Sequence, residues 1–270
     1  MKPLNMQFIP FVKYHGAGND FIMIDDRTTV WEKGIDKKWI ALACHRRFGI
    51  GADGMIFLQQ DKDGADFFMK YYNSDGRPST FCGNGGRCLV AFAGSLGIHN
   101  GHCRFLAMDG LHTGELLADG LVRITMKDVN TIDTIDENSF TLNTGSPHYV
   151  TLLDSLHQLD VFKEGKAIRN SPRFKLEGIN VNFVEEVTPG EINIRTYERG
   201  VEDETFACGT GVVAAAIAAS FHSPKAINSW RVHARGGDLS VDFQKDGMQQ
   251  YSAIWLTGPA REVFKGELPV

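Results

Sequence analysis

The sequence predicts a mixed α/β (α+β) protein built as two similar halves, and three observations carry that prediction. A length of 270 residues exceeds what one ordinary core organises and suits two domains of roughly 100 to 150 residues each. Short runs of β-branched and aromatic residues bounded by turn residues recur along the whole chain, while helical periodicity is confined to a few segments. A cysteine motif occurs twice, as Phe81-Cys82-Gly83-Asn84-Gly85-Gly86 and Ala207-Cys208-Gly209-Thr210-Gly211, each time opening an apolar, alanine-containing segment.

In the first half the candidate strands are Phe8 to Tyr14, Phe21 to Asp25, Met55 to Gln59, Phe67 to Tyr72 and Leu121 to Met126, with turn residues such as Lys62-Asp63-Gly64 between them. Trp39 to Arg47 reads as a short helix with Trp39, Leu42 and Ala43 inward. The second half repeats the plan, with strands expected at His148 to Leu153, Val181 to Glu185, Ile192 to Tyr197, Arg231 to Ala234, Leu239 to Phe243 and Ser252 to Leu256. Each cysteine segment is preceded by a strand that ends in a polar turn. Met69 to Tyr72 runs into Asn73-Ser74-Asp75-Gly76, and Ile192 to Tyr197 runs into Glu198-Arg199-Gly200. Asn73 stands nine residues before Cys82 and Glu198 ten before Cys208, the parallel spacing that a duplication leaves. The Asp-, Asn- and Thr-rich stretch Asp128 to Asn138 is the expected crossing. The halves are therefore drawn as 1–128 with 259–270, carrying Cys82, and 129–258, carrying Cys208. Val263 to Leu268 is expected to form an edge strand on one of them.

Composition narrows the function. With 43% hydrophobic and 23% charged residues the chain is that of a soluble globular protein, and a net charge of -5 gives nucleic acid no basic footprint. Met1 to Tyr14 lacks the apolar core and cleavage site of a signal peptide, and no apolar run reaches membrane-spanning length, so the expected compartment is the cytoplasm with no membrane partner. Five cysteines (Cys44, Cys82, Cys88, Cys103, Cys208) make an odd count that argues for reduced thiols. No C-x-x-C or H-E-x-x-H spacing occurs, and Cys82 and Cys88 are too far apart for a zinc knuckle, so no metal is expected. The cluster of His99, His102 and Cys103 reads as a solvated loop. Cys44, Cys88 and Cys103 read as small buried hydrophobes. The nucleotide motif G-x-x-x-x-G-K-[ST] is absent, and Gly16-Ala17-Gly18 lacks the third glycine of a dinucleotide turn.

Read as helices, the two cysteine segments place each thiol at a helix N-terminus, where unpaired N–H groups and the macrodipole favour a thiolate and a bound carboxylate. Inverting a carbon that bears a hydrogen requires a proton to leave one face and another to arrive at the opposite face. A thiol and a thiolate meet that need, each acting as acid or base according to direction. Free cysteine titrates near pH ~8.5, and a helix N-terminus lowers that value, which also makes such thiols sensitive to oxidation. Removing an α-proton beside a carboxylate loads further charge onto its oxygens, and the amides of Gly83, Asn84, Gly209 and Thr210 would meet that charge if the two helix starts converge. One copy alone would be weak evidence, because Gly-rich helix starts with a buried cysteine are common. Two copies in matched settings favour chemistry.

Four separated blocks, in order, carry a resemblance to the diaminopimelate epimerase family of pyridoxal-phosphate-independent amino-acid epimerases. They are His15-Gly16-Ala17-Gly18-Asn19-Asp20-Phe21, Arg47-Phe48-Gly49-Ile50-Gly51-Ala52-Asp53-Gly54, Asn73-Ser74-Asp75-Gly76 through Cys82-Gly83-Asn84-Gly85-Gly86-Arg87-Cys88, and Tyr197-Glu198-Arg199-Gly200 through Ala207-Cys208-Gly209-Thr210-Gly211. The resemblance implies two pseudo-symmetric domains, each a curved β-sheet wrapped around a central helix, with the active site in the cleft between them. It implies a homodimer that interconverts LL- and meso-2,6-diaminopimelate, on the route to lysine and peptidoglycan, without a cofactor. Cys82 and Cys208 match the two catalytic cysteines, and Gly83, Asn84, Gly209 and Thr210 match backbone positions that hold the reacting carboxylate. Arg199 fits the distal carboxylate, which a guanidinium pairs bidentately. Asn19, Asn73 and Asn180 match positions that orient the amino-acid substrate, since an amide both donates and accepts. Glu198 and His148 match residues that tune the cysteines and contact the substrate; their plainer readings are a surface carboxylate and a satisfied strand histidine.

Two positions depart from the family pattern. Gly145-Ser146-Pro147-His148 stands where many members have Gly-Asn-Pro-His, and Gly54 stands where some have a substrate-contacting glutamine. A water or a neighbouring side chain fills each gap, or distal specificity differs. Three alternatives compete: a racemase of the proline-racemase type, which binds a single head group; a cysteine hydrolase with Cys208 as nucleophile and His148 as base, which leaves Cys82 without a role; and a binding protein of the same fold, against which the presence of both thiols argues.

Overall fold

A computed structural model of the chain describes residues 7–61 and 64–270, so Lys62-Asp63 of the expected turn lies outside the described residues. The chain forms two compact units, Met1–Val122 with Ala260–Val270, and Arg123–Pro259.

The first unit comprises β1 (Phe8–Gly16), β2 (Asn19–Asp25), α1 (Trp31–Gly34), α2 (Lys37–Cys44), β3 (Gly54–Gln59), β4 (Phe67–Asn73), β5 (Pro78–Ser79), α3 (Gly83–Ser95), β6 (His102–Ala107) and β7 (Gly110–Leu116). The second comprises β8 (Val122–Thr125), β9 (Ile132–Asp136), β10 (Ser139–Asn143), β11 (Pro147–Leu152), α4 (Val161–Arg169), β12 (Asn180–Thr188), β13 (Glu191–Glu198), β14 (Asp203–Thr205), α5 (Gly209–His222), β15 (Ser229–Ala234), β16 (Gly237–Lys245) and β17 (Tyr251–Gly258). The C-terminal β18 (Arg261–Pro269) returns to the first unit, where it lies antiparallel to β1 from Phe8 against Pro269 to His15 against Arg261.

The pairing scheme is the same twice. In the first unit β18, β1 and β2 are antiparallel neighbours, β2 is parallel to β3, β3 antiparallel to β4, β4 parallel to β6, and β6 antiparallel to β7. In the second unit β9, β10 and β11 are antiparallel neighbours, β11 is parallel to β12, β12 antiparallel to β13, β13 parallel to β15, and β15 antiparallel to β16. Short β5 and β14 lie against β4 and β13 and lead into α3 and α5. Each unit packs its strands around that one helix, α3 against β1, β2, β3, β7 and β18, and α5 against β10 to β13 and β15 to β17. A helix sheathed on every side must be apolar on every side. Accordingly α5 is buried at Gly209 and from Gly211 to Ser220, and α3 from Gly83 to Val90.

Several elements differ from the sequence expectation. The helix expected over Trp39 to Arg47 runs over Lys37–Cys44, begun by Asp36, whose carboxylate accepts from the Trp39 N–H at 2.8 Å. Its inward stripe is Ile40, Ala43 and Cys44, the i, i+3, i+4 set, and Leu42 falls off that stripe at 56% exposure. The expected loop around His99 to Cys103 runs into a strand, β6, whose alternation turns Cys103 and Phe105 inward and His102 and Arg104 outward. The crossing expected at Asp128 to Asn138 contains β9, an edge strand exposed enough to resemble a linker in composition. The second unit therefore begins at Arg123, because β8 joins β17, the Met126 N–H donates to Ile254 O at 2.8 Å, and Val129 bridges Tyr251. Among the described residues no helix is long and apolar enough to cross a membrane.

Candidate active site

Cys82 and Cys208 are the N-cap residues of α3 and α5, with extended backbone at φ -139° and φ -111° and no side-chain cap. Each carbonyl accepts the first helical bond, from Gly86 N at 2.7 Å and Val212 N at 2.8 Å. Gly83 and Asn84, and Gly209 and Thr210, therefore open their helices, and N–H groups in that first turn have no partner within the helix. Two motif glycines serve packing as well: a Cβ at Gly85 would sit 2.8 Å from Ile56 Cδ1, and one at Gly211 2.5 Å from Asn182 Oδ1. The remaining thiols, Cys44, Cys88 and Cys103, are buried, and burial pushes each up to about 12.

In the first unit Cys82 Sγ lies 3.5 Å from Asn19 Oδ1, to which Asn84 Nδ2 also donates at 3.3 Å. Asn19 Nδ2 donates to Asp53 Oδ2 at 2.5 Å, and Asn84 Oδ1 accepts from Arg87 Nη2 at 2.8 Å. Arg87 is fully buried, and burial holds its guanidinium down to about 10, still a cation at neutral pH. Asp53 is fixed in turn by Arg46, which bridges it to Asp20 at 2.7 and 2.8 Å, while Lys13 reaches Asp20 at 2.6 Å and also donates to Gly51 O. Asn73 lies exposed at the end of β4.

Burial of Asp20 works against its carboxylate, but Arg46 and Lys13 outweigh it and hold the group down to about 2. Because the folded value lies below the unfolded one, Asp20 stabilises the fold above about pH 4, and that contribution is lost as pH falls through about 2. Acid titration followed by circular dichroism is expected to show an Asp20→Asn variant with a shallower loss of stability between those values; an unchanged acid limb would count against this ion cluster as a stabilising element.

In the second unit the residues gather around His148, which is fully buried on β11. Its Nε2 lies 3.0 Å from Ser146 Oγ and its Nδ1 3.1 Å from Asn182 Nδ2. Burial, reinforced by the charge of Arg199, pushes His148 down to about 3, so the ring is neutral. Ser146 Oγ also lies 3.2 Å from Thr210 Oγ1 and accepts from Asn180 Nδ2 at 3.2 Å, and Thr210 Oγ1 lies 3.4 Å from Cys208 Sγ. Asn180 Oδ1 accepts the Arg199 N–H at 2.9 Å, and Arg199 Nη1 donates to Glu177 O at 3.0 Å. Glu198 ends β13, half-buried, opposite Asp203 of β14.

Thus Asn19, Asn84 and Cys82 form one hydrogen-bonded group, and His148, Asn180, Thr210 and Cys208, with the backbone of Arg199, form another. Both departures from the family pattern acquire a structural account. No side chain fits at position 54, since a Cβ there would lie 2.5 Å from Tyr71 Cε2 and from Tyr72 O, so the tyrosine ring occupies that space. Ser146 is the hub of the second group. Sequence reasoning missed Asp53, Arg87 and Asn182. Arg87 had a visible signal, a lone charge in an otherwise uncharged helix, whereas Asp53 and Asn182 matter only through strand register, which pairs β2 with β3 and β11 with β12.

A family model described as diaminopimelate epimerase matches residues 11–132 and 140–263. The chain is 47% identical over 253 residues to the diaminopimelate epimerase of Flavobacterium psychrophilum, covering 94% of this chain and 97% of that one. It is 42% identical to that of Chlorobaculum tepidum, covering 94% and 98%, and 36% identical to that of Aquifex aeolicus, covering 96% and 97%. Among solved structures, a PhzF-family phenazine biosynthesis protein from Bacillus anthracis superimposes with a TM-score of 0.75 at 13% identity, covering 98% of this chain and all of that one. A probable proline racemase from Agrobacterium radiobacter does so with a TM-score of 0.70 at 13% identity, covering 96% and 92%. At such identities these structures speak for the fold alone, two repeated domains. The sequence matches span nearly the whole length on both sides and include both cysteine helices, and on that ground the chain belongs to the diaminopimelate epimerase family.

Proposed function

We propose that the protein is an isomerase that interconverts LL- and meso-2,6-diaminopimelate, using Cys82 and Cys208 as its acid and base and no cofactor. One observation carries the reading: the two thiols cap helices that stand at equivalent points of a repeated topology, so the fold has kept two copies of one acid–base device. The thiolate takes the α-proton from one face, the carbanion's charge spreads onto the α-carboxylate, and the thiol delivers its proton to the other face. First-turn amides at Gly83, Asn84, Gly209 and Thr210 stabilise that carboxylate as its charge grows, because their dipoles are already oriented. Arg199 with Asn73 and Asn180 holds the second amino-acid head, its guanidinium on the distal carboxylate, while Asn19 orients the substrate and Glu198 tunes the cysteines and contacts the substrate. His148, neutral and buried, acts as a fixed hydrogen-bond donor toward the Cys208 group. The product serves lysine and peptidoglycan precursor synthesis. Family resemblance supports a homodimer, and dependence on reduced thiols supports a cytoplasmic setting.

The test is NMR of LL-diaminopimelate incubated with the protein in D2O, with proline in parallel. Deuterium at one α-position together with meso product is the expected result. Exchange on proline with none on diaminopimelate would keep the chemistry and overturn the substrate.

A further inference from the structure

The repeat places a polar cluster in the second unit where the first unit packs largely apolar side chains. Three residues after each cysteine stands a glycine whose missing Cβ leaves room for one buried side chain. At Gly85 that side chain is Ile56, with Cδ1 2.8 Å from where a Cβ would lie; at Gly211 it is Asn182, with Oδ1 at 2.5 Å. Strand register makes the same match. Phe21 pairs with Gly54 as His148 pairs with Asn180, so Phe21 and His148 are counterparts, and so are Ile56 and Asn182, each two residues further on. On the next strand Ile56 faces Tyr71 and Asn182 faces Thr196. In the first unit Phe21 and Ile56 are wholly buried, with the Tyr71 ring edge-on to Phe21 at 6.1 Å. In the second unit His148, Asn182 and Thr196 are buried to the same degree. Packing under the helix is thus met without polar groups, and burying three of them costs free energy unless each is hydrogen-bonded.

The polarity of those bonds follows from groups with no choice of role. Asn182 Nδ2 lies 3.0 Å from Tyr149 O, and only the nitrogen of an amide can donate to a carbonyl, so the orientation of Asn182 is fixed. Its Oδ1 correspondingly accepts from Thr196 Oγ1 at 3.0 Å. The same Nδ2 lies 3.1 Å from His148 Nδ1. An amide nitrogen only donates, so Nδ1 carries a lone pair and the neutral ring holds its proton on Nε2, 3.0 Å from Ser146 Oγ. Asn180 Oδ1 accepts the Arg199 N–H, so Asn180 Nδ2 also donates to Ser146 Oγ, at 3.2 Å. With two donors on its oxygen, the Ser146 hydroxyl is left to donate, and Thr210 Oγ1 stands 3.2 Å away to accept.

We propose that Asn182 is a positioning residue of the reaction: it locks His148 as the Nε2–H tautomer aimed at Ser146, and so leaves the Ser146 hydroxyl as a donor only. The inference rests on the reading that the group around His148 acts in catalysis. A ring with its proton on Nδ1 would present a lone pair to Ser146 instead. The hydroxyl would then turn to the ring and leave Thr210, in the first turn of α5, without its donor. Asn182 reaches no substrate-facing group itself; its bonds go to Tyr149 O, Thr196 and His148. It acts through the ring, and Gly211 is the glycine that gives it room.

The experiment is NMR of the substrate-free protein carrying isotope-labelled histidine, in which two-bond proton–nitrogen correlations tell the two neutral tautomers apart, with His148→Gln used to assign the signal. The wild-type His148 ring is expected to be neutral with its proton on Nε2. Asn182→Leu keeps the shape of the side chain and follows the first unit in placing a hydrocarbon there. In that variant the Nδ1 resonance should move towards that of an unbonded lone pair, turnover should fall roughly tenfold, about the worth of one hydrogen bond, and the melting temperature should hold or rise. Thr196→Val, which removes only the donor to Asn182 Oδ1, should lower turnover in the same direction by less, and it keeps the turnover test available should the leucine variant not fold. A wild-type ring with its proton on Nδ1 would overturn the proposal, as would an Nδ1 resonance or a turnover that Asn182→Leu leaves unchanged. Turnover falling only with the folded fraction would overturn it too, and make Asn182 a structural residue alone. The tautomer is read with no substrate present, so a failed deuterium exchange on diaminopimelate would leave it standing, and an Nδ1–H ring would leave the two-thiol chemistry standing.

Discussion

Serine at position 82 or 208 is expected to abolish conversion of LL- to meso-diaminopimelate, each change costing on the order of 10²- to 10⁴-fold, the range for loss of a positioned acid or base. Serine is close in shape to cysteine, and both positions lie at helix N-caps, where a serine side chain is favoured, so the fold should survive and circular dichroism should be unchanged. The failure would be chemical, since an unassisted hydroxyl neither ionises near neutral pH nor passes a proton as readily as a thiol. The two variants should also fail differently. Cys82→Ser keeps the Cys208 sulfur, which as a thiolate still removes the proton on its own side and returns a solvent proton to the same face, so deuterium should enter one epimer slowly without inversion. Cys208→Ser keeps the Cys82 sulfur and should show the corresponding slow exchange on the opposite epimer. A hydrolase using Cys208 and His148 would predict instead that Cys82→Ser retains most activity, and that outcome would end the two-thiol reading.

The cysteine helices were legible in the sequence because their chemistry and their structure share one signature: a glycine-rich start and an apolar run that must be buried on every side. Strands with strong alternation, such as Val181 to Glu185 and Ile192 to Tyr197, were legible for a similar reason, as each presents one face to a core. β9 was not. Its residues Asp133 and Thr134 are exposed at an edge, where composition carries no sign of burial. β6 was lost for want of length, with only Cys103, Phe105 and Ala107 turned inward. The same division holds at the site. Asn19, His148 and Asn180 stand in short, distinctive blocks, but their orientations are set by Asp53, Arg87 and Asn182, which approach through parallel strand pairing or through the side of a helix. A linear reading sees a residue and cannot see which of its two ends is occupied. Ser146 makes the point most sharply. As a departure from the family pattern it looks like a lost substrate contact; in the fold its hydroxyl joins His148, Asn180 and Thr210.

Replacing Arg87 by methionine is expected to leave the protein as stable as before, or a few degrees more stable, while lowering turnover by tenfold or more. The guanidinium is wholly buried, its Nε and Nη1 have no hydrogen-bond partner among the described residues, and its one bond goes to Asn84. Burying a charge with most of its donors unsatisfied costs free energy. The fall of its pKa from 12.5 to about 10 corresponds to a cost on the order of 3 kcal/mol at neutral pH. The sign is that of a base whose folded value is depressed: the unfolded chain holds the proton more tightly, so folding is penalised below about pH 10 and the penalty eases as pH rises through it. Methionine removes the charge and fills much of the same volume with an adaptable apolar chain. What it cannot supply is the donor that holds Asn84 Oδ1, and without that anchor Asn84 no longer presents its N–H to Asn19 beside Cys82. Lysine at the same position keeps the charge but lacks the planar fork, and should recover only part of the activity. Thermal melts and turnover measured on the same preparations decide the matter. Stability preserved with activity lost marks Arg87 as kept for the site at the expense of the fold, whereas a large drop in melting temperature with activity falling only in proportion to the folded fraction would make it a structural residue alone.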